Sequence, residues 1–121
     1  MREKLIRRPD ADPFDLVKSV GLRLQDVEAS IRYDGTEVLK AGGSFMAGIA
    51  TDESAEADTL VVRCEYEDRV LLLEDAPETY YVTGFYEKYP LVLVRLSHVD
   101  EDALRDLLSV SRKMALQKAR R

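Results

Sequence analysis

The chain's single histidine, His98, follows Ser97 in the stretch LSHVDEDAL, and its single cysteine, Cys64, lies in TLVVRCEY. A histidine within reach of a hydroxyl or thiol is the raw material of nucleophilic catalysis, provided a third group orients the base. Sequence neighbours on a strand point to opposite faces, so Ser97 and His98 are poorly spaced for that task, and His98 reads as a structural or solvent-exposed residue. Cys64 falls on the apolar side of an alternating run with no basic neighbour there to lower its pKa, and reads as a buried, inert thiol. One histidine and one cysteine cannot build a zinc tetrahedron. The acids of DESAEAD, at positions 52, 53, 56 and 58, lack the ligand spacing and glycine of a calcium loop and read as a solvated loop. Gly42-Gly43-Ser44 is too short to cradle a phosphate, and no Gly-Lys-Ser/Thr follows it. The acids of DEDALRD suit the positive end of a helix. No catalytic residue, metal ligand or cofactor is assigned from the sequence.

Binding chemistry is better represented. Tyr80, Tyr81, Phe85, Tyr86 and Tyr89 are five of the nine aromatics, gathered in ten residues of ETYYVTGFYEKYPLVLVRL. A single-strand nucleic-acid platform interleaves such rings with Lys and Arg, but only Lys88 is near, against Glu78 and Glu87. Core and turn packing is the plainer reading, and Tyr81, Phe85, Tyr86 and Tyr89 are the candidates for a partner-binding edge. Arg63, Arg69 and Arg95 are candidates for holding an anion if they converge, because guanidinium takes carboxylate and phosphate bidentately. Arg112, Lys113, Lys118, Arg120 and Arg121 are the candidate nucleic-acid contacts. Residues 1–8 and 112–121 together carry a charge of +8, whereas residues 9–111 carry −13, for a net −5. An acidic body repels polyanions, and basic ends attract them.

These residues need elements to position them. Asp12-Pro13 has the form of a helix N-cap followed by proline in the first turn, and Phe14, Val17 and Leu24 recur at helical spacing. This predicts a helix over 13–24, which Gly21 is expected to end early. From Ile31 the period shifts toward two. IRYDGTEVLKAG carries Asp34-Gly35 between two extended runs, a hairpin signal. Gly42-Gly43 marks the next turn, and SFMAGIAT reads as a strand with Phe45, Ala47 and Ile49 on one face. TLVVRCEY puts Leu60, Val62, Cys64 and Tyr66 on one face, with Arg63 and Glu65 on the other. Val70 and Leu73, with Leu71 and Leu72 between, predict a short helix stopped by Pro77. Strands are expected at 79–83 and 91–96. Asp100 should cap a last helix striped by Leu104, Leu107, Leu108, Met114 and Ala115. Strands grouped between helices predict an α+β domain with an antiparallel sheet of five to six strands, packed by N- and C-terminal helices.

The length of 121 residues fits one domain over 1–121. No apolar run approaches the ~18 residues of a membrane helix. The charged start MREKLIRRPD does not resemble a secretory signal, and a lone cysteine excludes an internal disulfide, so a cytoplasmic protein without membrane contact is expected.

The segment LVVRCEYEDRVLLLEDAPETYYVTGFYEKYPLVLVRLSHVDEDALRDLLSVSRKMA, preceded by KAGGSF, resembles the MmcQ/YjbR family. The likeness lies in an arginine ahead of a short Leu-Leu helix, a proline, the aromatic YYVTGFYEKYP, the strand LVLVRL and the helix VDEDALRDLL. It covers residues 13–116. Tyr89 and Ser111 or Arg112 stand near the places where many members carry tryptophan. The resemblance implies a compact CyaY-like fold, also like that of secretion chaperones, and a DNA-binding label based on a double-wing arrangement of hairpins. Fold analogy does not establish function, and Glu37, Glu65 and Glu67 fall on strands or edges that would form such wings. The reading favoured is therefore a non-catalytic adaptor for a protein or peptide partner, either monomer or homodimer. A salt-sensitive DNA-binding module and a small-anion binder are the alternatives.

Overall fold

The computed structural model describes residues 12–119. The basic residues of the segment 1–8, and Arg120 and Arg121, lie outside the described residues. The order of elements is α1 (Phe14–Gly21), β1 (Val27–Ile31), β2 (Glu37–Ala41), β3 (Ser44–Ile49), β4 (Thr59–Arg63), α2 (Tyr66–Asp75), β5 (Tyr80–Tyr81), β6 (Leu91–Arg95) and α3 (Glu101–Ala119). The six strands form one antiparallel sheet in the order β1-β2-β3-β4-β6-β5. This is the expected α+β architecture.

Local chemistry sets the boundaries. Asp12 takes the Phe14 N–H on its carboxylate (2.9 Å) and the Asp15 N–H on its carbonyl (2.9 Å), starting α1. The helix ends at Gly21, earlier than residue 24, as the glycine suggested. A side chain at Gly21 would collide with Leu39, so the glycine also lets α1 settle onto β2. In the first hairpin, Asp34 accepts from the Thr36 N–H (3.0 Å) and hydroxyl (2.7 Å). These bonds hold the Asp34 carboxyl below its usual pKa. Gly42 and Gly43 both have positive φ, +61° and +80°, as a two-residue turn matched to strand twist requires. Asp100 accepts the Ala103 N–H (2.8 Å) and opens α3.

The three helices lie on one face of the sheet. Phe14, Val17 and Val20 of α1 and Leu104, Leu107, Leu108 and Ala115 of α3 join Leu39, Ala41, Ala47, Leu60, Val62, Val92 and Val94 in the main core. α1 packs on α3 and β2, α3 crosses β2, β3 and β4, and α2 sits against β5 and β6. The second face holds a smaller cluster of Val61, Tyr86 and Leu93, flanked by Phe45, Tyr81 and Leu91.

Two expectations about faces are corrected. The ladder pairs Leu39 with Ala47 but Lys40 with Phe45, so Met46 is an extra residue in a β-bulge. The bulge lets Met46 and Ala47 both enter the main core and turns Phe45 to the second face, away from Ala47. Tyr66 does not continue β4; it begins α2 and is exposed, because the strand ends at Arg63. Glu65 and Glu67 accordingly stand at the start of α2 and not on a hairpin. The strand expected at 79–83 is only Tyr80–Tyr81, and residues 82–90 form a turn knitted by Tyr86 and Glu87 N–H groups donating to Thr83 O (3.0 and 2.8 Å).

Candidate functional site

An open groove of about 400 Å³ lies between α2 and α3. Its floor contains Cys64 and Tyr80, which the main core buries, together with Leu72 and Leu107. Leu71 and Val110 rise on its two walls, and Leu71 is 63% exposed. Three carboxylates, Asp68, Asp75 and Asp106, complete the lining, with no lysine or arginine among the residues that form it. Among the described residues none of the three takes part in a salt bridge. The groove is thus an apolar trough with an acidic margin.

Helix α2 makes the trough because of where its side chains fall. Leu72 and Leu73 pack against the core, but Val70 and Leu71 remain exposed, and no residue of α2 is fully buried. A four-residue apolar run spans more than one side of a helix, so part of it must face away from the sheet. The Cys64 thiol at the floor is pushed up to about 12 by burial, which keeps it protonated and unreactive at neutral pH. Burial first, and then the Asp100 carboxylate, raises the Tyr80 phenol.

The aromatic residues divide as a strand requires. Tyr80 enters the main core, and Tyr81 faces the other way, its hydroxyl accepting the Glu56 N–H (2.8 Å) and bonding the Thr59 hydroxyl (2.7 Å). Tyr86 is buried, its hydroxyl accepts the Asp52 N–H (3.1 Å), and its ring meets Phe85 edge-on at 5.0 Å. Only Phe85 (48% exposed) and Tyr89 (44% exposed) of the four partner-binding candidates present substantial apolar surface, with centroids 6.4 Å apart. Tyr66 joins them through its hydroxyl, which donates to Lys88 O (2.7 Å).

The three candidate anion-binding arginines do not converge. Arg63 Nε donates to Phe45 O at 2.8 Å. Arg69 donates to Glu87 O, Tyr89 O and Leu91 O at 2.9–3.0 Å and lies 5.1 Å from the Tyr66 ring, fastening the aromatic turn to α2. Arg95 forks onto both Glu56 carboxylate oxygens (2.8 Å each), reaches Pro77 O and Glu78 O, and covers the Tyr81 ring at 4.3 Å. Arg63 and Arg95 stand at opposite ends of the β4–β6 ladder. Each guanidinium secures local structure.

The basic C-terminal candidates are similarly dispersed. Arg112 donates to Gln25 O (2.6 Å) and approaches Asp26 (3.6 Å), closing the α1–β1 connection. Lys113 and Lys118 are exposed on α3. α1 and α3 do lie side by side, but several of the cations on or beside them meet acids. Lys18 bonds Glu37 at 2.7 Å and Arg23 reaches Glu101 at 3.3 Å. Ser97 and His98 lie in the turn after β6 and not on a strand, so the expectation that they point apart is corrected: Ser97 Oγ lies 3.0 Å from His98 Nδ1, both side chains being exposed. Among the described residues no group of three or more His, Cys, Asp or Glu is placed to hold a metal ion, and no helix is long and apolar enough to cross a membrane.

Sequence comparison finds mycobacterial relatives. The uncharacterized protein Mb2600 of Mycobacterium bovis and the uncharacterized proteins MT2646 and Rv2570 of Mycobacterium tuberculosis are each 31% identical over 91 residues. The match takes in 74% of this chain and 64% of each relative, so the chain spans somewhat under two thirds of their length. No family model matches the chain, and no solved structure matches it significantly.

Proposed function

We propose that this chain is a non-catalytic binding module of MmcQ/YjbR type whose α2–α3 groove takes a basic amphipathic peptide segment of a protein partner. The observation that carries the reading is the groove itself: exposed Leu71 and Val110 above an apolar floor, edged by Asp68, Asp75 and Asp106. An amphipathic helix laid in such a trough buries its apolar stripe while its lysines or arginines meet the acidic margin. Charge complementarity of this kind selects partners and speeds encounter, while the apolar contact supplies most of the affinity. The acidic body, −13 over residues 9–111, extends the same preference beyond the groove.

The test is fluorescence anisotropy with two labelled helical peptides that share one leucine stripe, one carrying lysines and the other glutamates on its polar face. At 150 mM salt the lysine peptide should bind and the glutamate peptide should not. Leu71→Lys, which removes an apolar contact and adds a repelling charge, should weaken the lysine peptide at least tenfold. Equal binding of both peptides, or indifference to Leu71→Lys, would refute the assignment.

A further inference from the structure

Strand β1 is one edge of the sheet, and no described strand lies beyond it. The hairpin fixes which of its backbone groups are free. Arg32 N–H donates to Thr36 O (2.8 Å), so Arg32 and Thr36 are a hydrogen-bonded pair. Bonded and non-bonded pairs alternate along an antiparallel ladder. Ser30–Val38 and Glu28–Lys40 therefore exchange bonds, while Val27, Ala29 and Ile31 direct their N–H and C=O groups outward. Natural edges are guarded by several charges, a proline or a bulge. β1 has one charge, Glu28, no proline, and an unbroken register with β2. Ile31 is 67% exposed, and Tyr33 at the hairpin tip is fully exposed.

We propose that β1 pairs antiparallel with β1 of a second copy about a two-fold axis at Ala29, joining two sheets into one. That register sets Ala29 against Ala29 of the partner subunit, and Val27 against Ile31 of the partner subunit. All three pairs consist of residues whose backbone groups point outward, giving about six new ladder bonds. The apolar side chains Val27, Ala29 and Ile31 then line one surface of the join. Glu28 faces Ser30 of the partner subunit, so no like charges oppose each other. An axis at Glu28 would bring two carboxylates together and would oppose groups already spent on β2. A register that is self-complementary in hydrogen bonding and sets no like charges directly opposite is what selects a second copy as occupant. The contact is isologous and closes at two subunits. A five-residue ladder is a small interface, so a weak dimer that forms only as concentration rises is expected. This inference stands apart from the groove, which lies toward the opposite edge of the sheet.

The test is sedimentation equilibrium of the full chain from about 1 µM to about 1 mM, with hydrogen exchange at both limits. Dimers should form, and the amides of Val27, Ala29 and Ile31 should gain protection as concentration rises. Ala29→Pro removes an outward N–H and no β2 bond, so the circular dichroism of the fold should persist while association weakens at least 30-fold. Ser30→Lys places an ammonium opposite Glu28 of the partner subunit and should tighten association several-fold. A wild-type chain that stays monomeric at about 1 mM overturns the proposal. So does a dimer in which Ser30→Lys changes nothing and those three amides exchange as in the monomer. An edge that protects these amides only when an unrelated extended peptide is added also overturns it.

Discussion

Ser111→Ala tests the logic of the bulge. Ser111 is wholly buried on α3, and its hydroxyl donates to Met46 O at 2.8 Å. Met46 is the residue that the β2–β3 ladder leaves over, so its carbonyl depends on a bond from outside the sheet. Removing the hydroxyl orphans a buried acceptor, which costs about 2 kcal/mol. Alanine returns about 0.5 kcal/mol through its better helix propensity. The net loss is about 1.5 kcal/mol, which for a domain of this size lowers Tm by about 5–10 °C. Ser109→Ala, at a partly exposed site on the same helix, gains the propensity without losing a buried bond and should melt at or slightly above the wild type. Thermal and urea unfolding followed by circular dichroism measure both. If Ser111→Ala melts with Ser109→Ala, the bulge carbonyl needs no donor from α3 and the reasoning fails.

The other expectations concern the groove, pH and the turn. Neutralising Asp75 or Asp106 to asparagine should weaken the lysine-bearing peptide about twofold to fivefold each in anisotropy titrations, with the difference fading at high salt. Glu56 is held below its ordinary pKa chiefly by the Arg95 fork, so its contribution to stability is present above the unfolded value near 4.3 and is lost as pH falls through the lower folded value. Glu56→Gln should therefore flatten the acid limb of a stability–pH profile below about pH 4.5, and an unchanged limb would count against the pairing. Gly42→Ala should destabilise more than Gly43→Ala in thermal melts. Both glycines have positive φ, but only at Gly42 does a new Cβ meet Leu116 and Ala119, at 3.1 Å. Native Cys64 should react with a thiol reagent at least 100-fold more slowly than the urea-unfolded chain, because it is both covered and protonated.

Much of this architecture is readable in the amino-acid order, where local chemistry governs. Asp12-Pro13, Asp34-Gly35, Gly42-Gly43 and Asp100 mark chain reversals and helix starts without tertiary help. Alternation in TLVVRC assigns Leu60, Val62 and Cys64 to the core correctly. The failures come where one residue changes the phase. The bulge at Met46 is invisible to a period-two reading, which places Phe45 beside Ala47, whereas it lies across the sheet from it. Leu71 counts as apolar and looks like core, yet the trough depends on its standing free, which only the distance between α2 and α3 decides. The arginines carried a signal of their type but not of their partners. Arg69 and Arg95 are consumed by carbonyls 17 to 22 residues away. Clustering of tyrosines likewise says nothing of the hydroxyl bonds that withdraw Tyr81 and Tyr86 from the surface.

The placement of α3 across the middle of the sheet has a consequence for synthesis. A nascent chain halted before Glu101 already contains all six described strands, yet Leu39, Ala47, Leu60 and Val62 still lack their cover from Leu104, Leu107, Leu108 and Ala115. The sheet emerging from the ribosome is therefore sticky until those last turns follow it out. This segment, more than any hairpin, decides whether the newborn protein finds itself or an aggregate.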